Sequence, residues 1–172
     1  MKWQRNEAYE DELLQLLWEG IKEDRSGISV TGLIYCLTKA HFEKQAGGID
    51  PDRRTLLFFT TGLALEQVIL NSVLEGKQNP VAGEFEGISY HIDNWDEDLQ
   101  LVDEFKSTRK SMTGFPVGDE LSREWHKQFM SYLKMKGTLK GRFIILQVIR
   151  PDLIAFDCEY TQEEIDENWE WI

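Results

Sequence analysis

The stretch "YHIDNWDEDLQLVDEFKST", residues 90–108, decides how this chain is read. Two alternating segments flank an acidic turn. Over residues 81–93 the period is two, with Ile88, Tyr90 and Ile92 pointing one way and Ser89, His91 and Asp93 the other. In "LQLVDEFK", Leu99, Leu101, Asp103 and Phe105 share one face, and Val102, Glu104 and Lys106 the opposite one. Residues two apart on a strand project to the same side, so Glu104 and Lys106 meet above the sheet. A hairpin turn at "NWDED" would carry Asp93 alongside them. Two readings stand: a solvated hairpin edge, or carboxylates that hold a metal ion.

Around this stretch the chain alternates helical and strand patterns. "NEAYEDELLQLLWEG" spaces Leu13, Leu14, Leu17 and Trp18 as a helix with a glycine stop. "SVTGLIYCLTKAHFEK" predicts a second helix with a serine or threonine cap. A third and longer one, "DPDRRTLLFFTTGLALEQVILNSVLEG", has proline near its start and Gly76 after its end. Gly62 in its middle reads as a point of close packing, since glycine there costs about 1 kcal/mol relative to alanine. "GDELSREWHKQFMSYLKMKG" is amphipathic, with Trp125, Gln128, Phe129 and Tyr132 on one stripe. "RFIILQVI" and "LIAFDCEY" are strands separated by Pro151 and Asp152, and Thr161 with Glu164 makes a capping box for a last helix. Helices, an antiparallel strand group, a helix and further strands give an α/β layer arrangement around one sheet.

At 172 residues, 41% hydrophobic and 12% aromatic, the chain suits one domain with a real core. Its apolar runs, such as "FIILQVI", are too short to span a bilayer. Cys36 and Cys158 alone exclude a multi-disulfide scaffold and suit a reducing cytoplasm. The net charge of −12 opposes a polyanionic partner, but its distribution is uneven. Residues 106–142 hold nine basic side chains (Lys106, Arg109, Lys110, Arg123, Lys127, Lys134, Lys136, Lys140, Arg142) and three acidic ones, a local excess of +6. Such a strip either steers a polyanion or is a solvated lysine-rich face. Arg53 and Arg54 are further candidates for phosphate contact.

Converging carboxylates such as Asp93 and Glu104 repel, and a hard divalent cation removes that conflict. A metal of this kind polarises a phosphoryl oxygen and activates water, while a neighbouring lysine offsets developing negative charge. An acidic residue followed by acidic-x-lysine is therefore a complete kit for phosphodiester hydrolysis. Glu66, four residues after Gly62, and Gln128 with Tyr132, one turn apart on one helix face, extend the set.

In order, "GLALE", "HID", "DEFK" and "QFMSY" resemble the PD-(D/E)XK nuclease superfamily. More narrowly, they resemble its RecB-like nucleases and their CRISPR-associated exonuclease branch. "SVTGLIYCLTKAHF" is similar to that branch's opening helix, and the resemblance runs from about Ser29 to Glu164. It implies a single domain over 1–172, with a helical part at 1–50 and a nuclease core at 51–172. It further implies a mixed central sheet flanked by helices in the restriction-endonuclease-like α-β-β-β-α-β order. Asp93, Glu104 and Lys106 would be catalytic. Glu66, Asp93, Glu104 and the main-chain carbonyl of Phe105 would hold Mg²⁺ or Mn²⁺. Gln128 and Tyr132 would lie near a DNA strand, with Arg109, Lys110, Lys127 and Lys134 contacting its phosphates. RecB-like relatives commonly carry histidine where this chain has Glu66, and the CRISPR-associated branch holds an iron–sulfur cluster on four cysteines. With two cysteines in the chain, no cluster is expected.

Overall fold

The computed structural model describes residues 6–21, 28–45, 51–73, 81–109, 121–149 and 151–172. Residues 81–93 are not one strand, because Glu86 and Gly87 both take left-handed backbone, with φ of 51° and 82°. Two such residues make the tight turn whose twist matches paired strands. The segment folds into β2 (Val81–Phe85) and β3 (Ile88–Ile92), antiparallel with Phe85 opposite Ile88. β4 (Asn94–Asp96) follows at once, so most of the expected "NWDED" turn is strand. The reversal falls at residues 97–100, where Asp96 Oδ1 accepts from the Leu99 N–H at 2.9 Å, and leads into β5 (Leu101–Thr108).

β5 and β6 (Lys140–Gln147) are parallel, with Glu104 opposite Phe143. Parallel neighbours need a crossover, supplied here by α4 (Arg123–Lys136). Its ends follow from sequence: Ser122 Oγ accepts from the Trp125 N–H, and Gly137 closes the helix at φ 68°. β7 (Asp152–Glu159) runs antiparallel to β6. α5 (Gln162–Trp171) then starts from the Thr161–Glu164 capping box. Before the sheets come α1 (Glu7–Ile21), β1 (Ile28–Ser29), α2 (Val30–Gln45) and α3 (Arg53–Val73). Gly20 does not stop α1, which continues to Ile21. Ser29 Oγ caps α2 through the Gly32 N–H, and Asp52 Oδ1 caps α3 through the Thr55 N–H. Gly76, expected after α3, lies outside the described residues.

The strands form two mixed sheets, ordered β1-β3-β2 and β4-β5-β6-β7. β5 and β6 are central in the larger one, so Val102, Phe105, Phe143 and Ile145 are buried. Phe129 and Leu133 of α4 pack into the same core with Ile92 and Ile165. Each such side chain contributes about 1.5–3 kcal/mol by leaving water. Among the described residues no helix is long and apolar enough to cross a membrane.

Glycine is needed where α4 lies closest to the sheet. A Cβ on Gly141 would sit 2.3 Å from Phe129 Cζ and 2.7 Å from the Val102 carbonyl oxygen. The β5 backbone cannot retreat without breaking its ladder. Gly141→Ala should therefore destabilise the protein by about 2–3 kcal/mol, read as a melting temperature lower by roughly 4–10 °C. An unchanged melting temperature would mean that this contact is looser than described. Gly62 differs: a Cβ there meets Ser107 Oγ at 3.6 Å, an ordinary contact, so close packing does not demand glycine.

Candidate active site at the junction of the two sheets

β3 ends at Ile92 and β4 begins at Asn94, which leaves Asp93 alone at the corner between the sheets. Asn94 stands opposite Asp103, so one step back along the chain sets Asp93 beside Glu104. Its Oδ2 accepts from the Phe105 N–H at 2.7 Å, on an edge of β5 that β4 no longer covers. Because a strand residue's N–H and C=O leave on the same edge, the Phe105 carbonyl faces the Asp93 side as well.

Glu104 is only 2% exposed. Its Oε1 accepts from Lys106 Nζ at 2.5 Å, while the buried Oε2 has no hydrogen-bond partner. Lys106 Nζ also donates to Gln128 Oε1 at 3.1 Å, and Gln128 Nε2 donates to the Tyr132 hydroxyl at 2.8 Å. Lys106 is thus oriented by strand and helix together. Burial, and then the neighbouring Asp93 charge, push the Glu104 carboxyl up to about 8. Burial also raises Asp93, against the pull of Lys106 and the Phe105 N–H. For Lys106 burial alone would favour the neutral amine, but Glu104 and Asp93 outweigh it and hold the ammonium above its ordinary value.

Glu66 of α3 lies within electrostatic reach of Glu104 and adds to its repulsion. Among the described residues, no group of three or more His, Cys, Asp and Glu side chains is placed to hold a metal ion. Asp103, on the opposite face of β5, is occupied otherwise. Its Oδ2 accepts from Asn94 Nδ2 at 2.8 Å, and its buried Oδ1, like Glu104 Oε2 without a hydrogen bond, has the Arg142 guanidinium Nη1 4.0 Å away to offset its charge. Tyr35 of α2, which belongs to none of the sequence motifs above, lies close enough to Lys106 for the two to influence each other's ionisation.

The basic side chains are dispersed. Lys134 pairs with Asp166 at 2.6 Å, and Lys127 Nζ stands 2.8 Å above the Trp171 ring, so both turn towards α5. Lys136 lies over Trp95, and Arg142 is bonded to Asp157 at 2.6 Å. Arg109 instead rests on Phe58 of α3, while Lys110 falls outside the described residues. Cys158 is a half-buried strand residue, and the Cys36 side chain is outside the described set.

With the three-residue β4 set aside, the succession α3, β2, β3, β5, α4, β6, with its parallel crossover, is that of the restriction-endonuclease-like α/β fold. The solved structures most like this chain include SSO0001, with a TM-score of 0.61 at 19% identity over 94% of this chain and 84% of that one. An alkaline exonuclease from Laribacter hongkongensis, LHK-Exo, matches with a TM-score of 0.59 at 11% identity, over 84% of this chain and 83% of its own. Its complex with dAMP matches at 0.57 and 12% identity over the same shares. At these identities the likeness establishes the fold. No protein-family model matches the chain, and no curated protein does.

Proposed function

We propose that this protein is a Mg²⁺- or Mn²⁺-dependent deoxyribonuclease of RecB-like type, acting as an exonuclease in recombination, repair or CRISPR adaptation. The observation that carries the reading is Glu104: a buried carboxylate with one oxygen on Lys106, the other without a partner, and Asp93 beside it. Burying such a group stabilises nothing by itself. The fold shared with an alkaline exonuclease agrees with this reading.

The donor set suits a hard cation. Glu104 Oε2, Asp93 and the Phe105 carbonyl all offer oxygen, and Mg²⁺ commonly binds through one or two carboxylates while keeping several waters. Glu66 would add a further negative oxygen nearby. When bound, the cation supplies a Lewis acid for the scissile phosphate and an acidified water. The chain's own residues do the rest. Asp93 and Glu104 would hold the cation and offset its charge. Lys106, with two of its three ammonium hydrogens committed to Glu104 and Gln128, directs the third at the phosphate and offsets its developing charge. Gln128, held by Tyr132, fixes the angle of that ammonium. In this reading the chain works as one cytoplasmic domain and carries no iron–sulfur cluster.

The decisive test incubates labelled single-stranded and duplex DNA with the protein and Mg²⁺, Mn²⁺ or a chelator. Hydrolysis with either metal, abolished by chelator, is expected. Full activity in excess chelator would sink the metal mechanism, and inactivity under every condition would leave a DNA-binding or assembly subunit. Gln128→Leu should lower the rate about 10–100-fold through kcat more than KM, because it orients the lysine without touching the cation. An equal change confined to KM would place Gln128 on the substrate instead.

A further inference from the structure

One helix lies along the strand that carries the carboxylates, and three contacts give its direction. Glu66 of α3 reaches Glu104 electrostatically, Gly62 faces Ser107, and Phe58 meets Arg109. As the helix is followed backwards, one turn at a time, the strand runs forwards. α3 is therefore antiparallel to β5, and Phe58 lies about 12 Å along the helix from Glu66.

At that point the Arg109 guanidinium carbon sits 3.7 Å from the Phe58 ring centroid, and that of Arg54 sits 5.6 Å from it. Phe58 is 39% and Phe59 56% exposed. A guanidinium stacked on a ring keeps its N–H donors in its own plane, aimed outwards and already oriented. The adjacent Arg53 is different, since its Nη2 is bonded to Glu10 at 2.9 Å. Asp52, whose charge also reaches Arg54, is engaged as the α3 cap on Thr55. Most described cations of the basic strip are held by carboxylates or indole rings, whereas this arginine pair lies near an exposed phenyl ring on the helix that carries Glu66.

Aromatic faces that stack bases, together with arginines that take phosphates, are the chemistry of a single-strand platform. We propose that Arg54, Phe58, Phe59 and Arg109 form a subsite for single-stranded DNA. The bases stack on the exposed phenyl and guanidinium faces, and the backbone phosphates bond to the in-plane N–H groups. The roughly 12 Å between Phe58 and Glu66 places the subsite a few nucleotides from the bond that is cut. The subsite rests on the nuclease reading for that placement.

Binding of a fluorescent oligothymidylate of about 12 nucleotides to the full chain, followed by anisotropy in chelator, tests the subsite without cleavage. Arg54→Gln combined with Arg109→Gln should flatten the slope of log affinity against log salt by about 1.4, two single-strand phosphate contacts. Phe58→Leu should weaken binding about 5- to 100-fold at an unchanged slope, and Phe58→Trp should retain it. Thermal melts of each variant control for folding; should Phe58→Leu fail to fold, the arginine pair decides. A wild-type slope and affinity in a folded double-arginine variant would overturn the subsite, as would absence of oligothymidylate binding by the wild type. If the wild type cleaves DNA with Mg²⁺ while the arginine pair leaves binding unchanged, the subsite fails and the nuclease reading stands. If the arginine pair abolishes binding but the wild type cleaves DNA under no condition, with Mg²⁺, Mn²⁺ or chelator, the nuclease reading fails and the subsite stands.

Discussion

Glu104→Gln is expected to stabilise the metal-free protein and to end DNA hydrolysis. The carboxyl titrates near 8 in the folded protein against an ordinary 4.5, so the native state holds this proton more tightly than the unfolded chain does. For a raised carboxylate the sign is negative: stability falls as pH climbs from about 4.5 to 8, and the full deficit persists above that range. Asp93, raised as well, acts in the same direction. Lys106, raised as a base, contributes a stabilisation that is constant across this window and lost only above its ordinary value. Glutamine imitates the protonated acid at every pH. The variant should gain a few kcal/mol at pH 8, or a melting temperature higher by roughly 5–10 °C, and converge with the wild type near pH 4.5. Added Mg²⁺ should raise the melting temperature of the wild type and leave the variant unmoved. Hydrolysis should fall about 10³-fold or more, the scale of the electrostatic stabilisation a lost metal ligand supplies. Superimposable melting profiles for the two proteins from pH 5 to 8 would remove the basis for a strained, cation-requiring carboxylate.

Asp93 is expected to separate its two roles. Replacement by alanine or by asparagine should each cost about 10³-fold in hydrolysis, since neither keeps a carboxylate for the cation. Their stabilities should diverge. Asparagine retains an oxygen to accept from the Phe105 N–H, whereas alanine leaves that donor without its partner at 2.7 Å, a loss of about 1–3 kcal/mol. At pH 8 and without metal, the asparagine variant should melt at or above the wild type and the alanine variant below the asparagine one. Equal melting temperatures for the two would mean that the Asp93–Phe105 bond does not hold the corner.

That Glu104 and Lys106 share a face was legible from a strand's period of two, but the partner of Asp93 was not: a turn at 94–98 would set Asp93 opposite Leu99, and the later reversal at 97–100 sets it beside Glu104. The turn itself was placed too early, since Asn94–Asp96 is polar yet pairs as strand, with Asn94 satisfied by Asp103. The reversal at Glu86–Gly87 was missed because alternation continues across it and glutamate is an uncommon first residue for such a turn. The fate of the basic strip was not readable at all. Lys127 and Lys134 are occupied by Trp171 and Asp166, partners more than thirty residues away in sequence that only the docking of α5 on α4 brings near. The arginine pair on Phe58 is likewise a product of α3 lying along β5, a relation that helical periodicity does not encode.

The tip of the β2–β3 hairpin is clasped from the far end of the chain. Trp169 Nε1 donates to Glu86 Oε2 at 3.0 Å, and its indole meets Phe85 edge-on at 5.5 Å. That hairpin runs straight into Asp93, so one half of the candidate centre is steadied by a residue 76 positions beyond it, while the other half comes from the β5–α4–β6 crossover. Contacts of such long sequence separation are closed last and at the greatest entropic cost in folding. A chain that has not yet docked α5 can pair β4 with β5 and bring Asp93 to Glu104, but the β2–β3 hairpin that leads into Asp93 lacks its clasp. Competence to cut would arrive only with the cooperative closure of the whole fold.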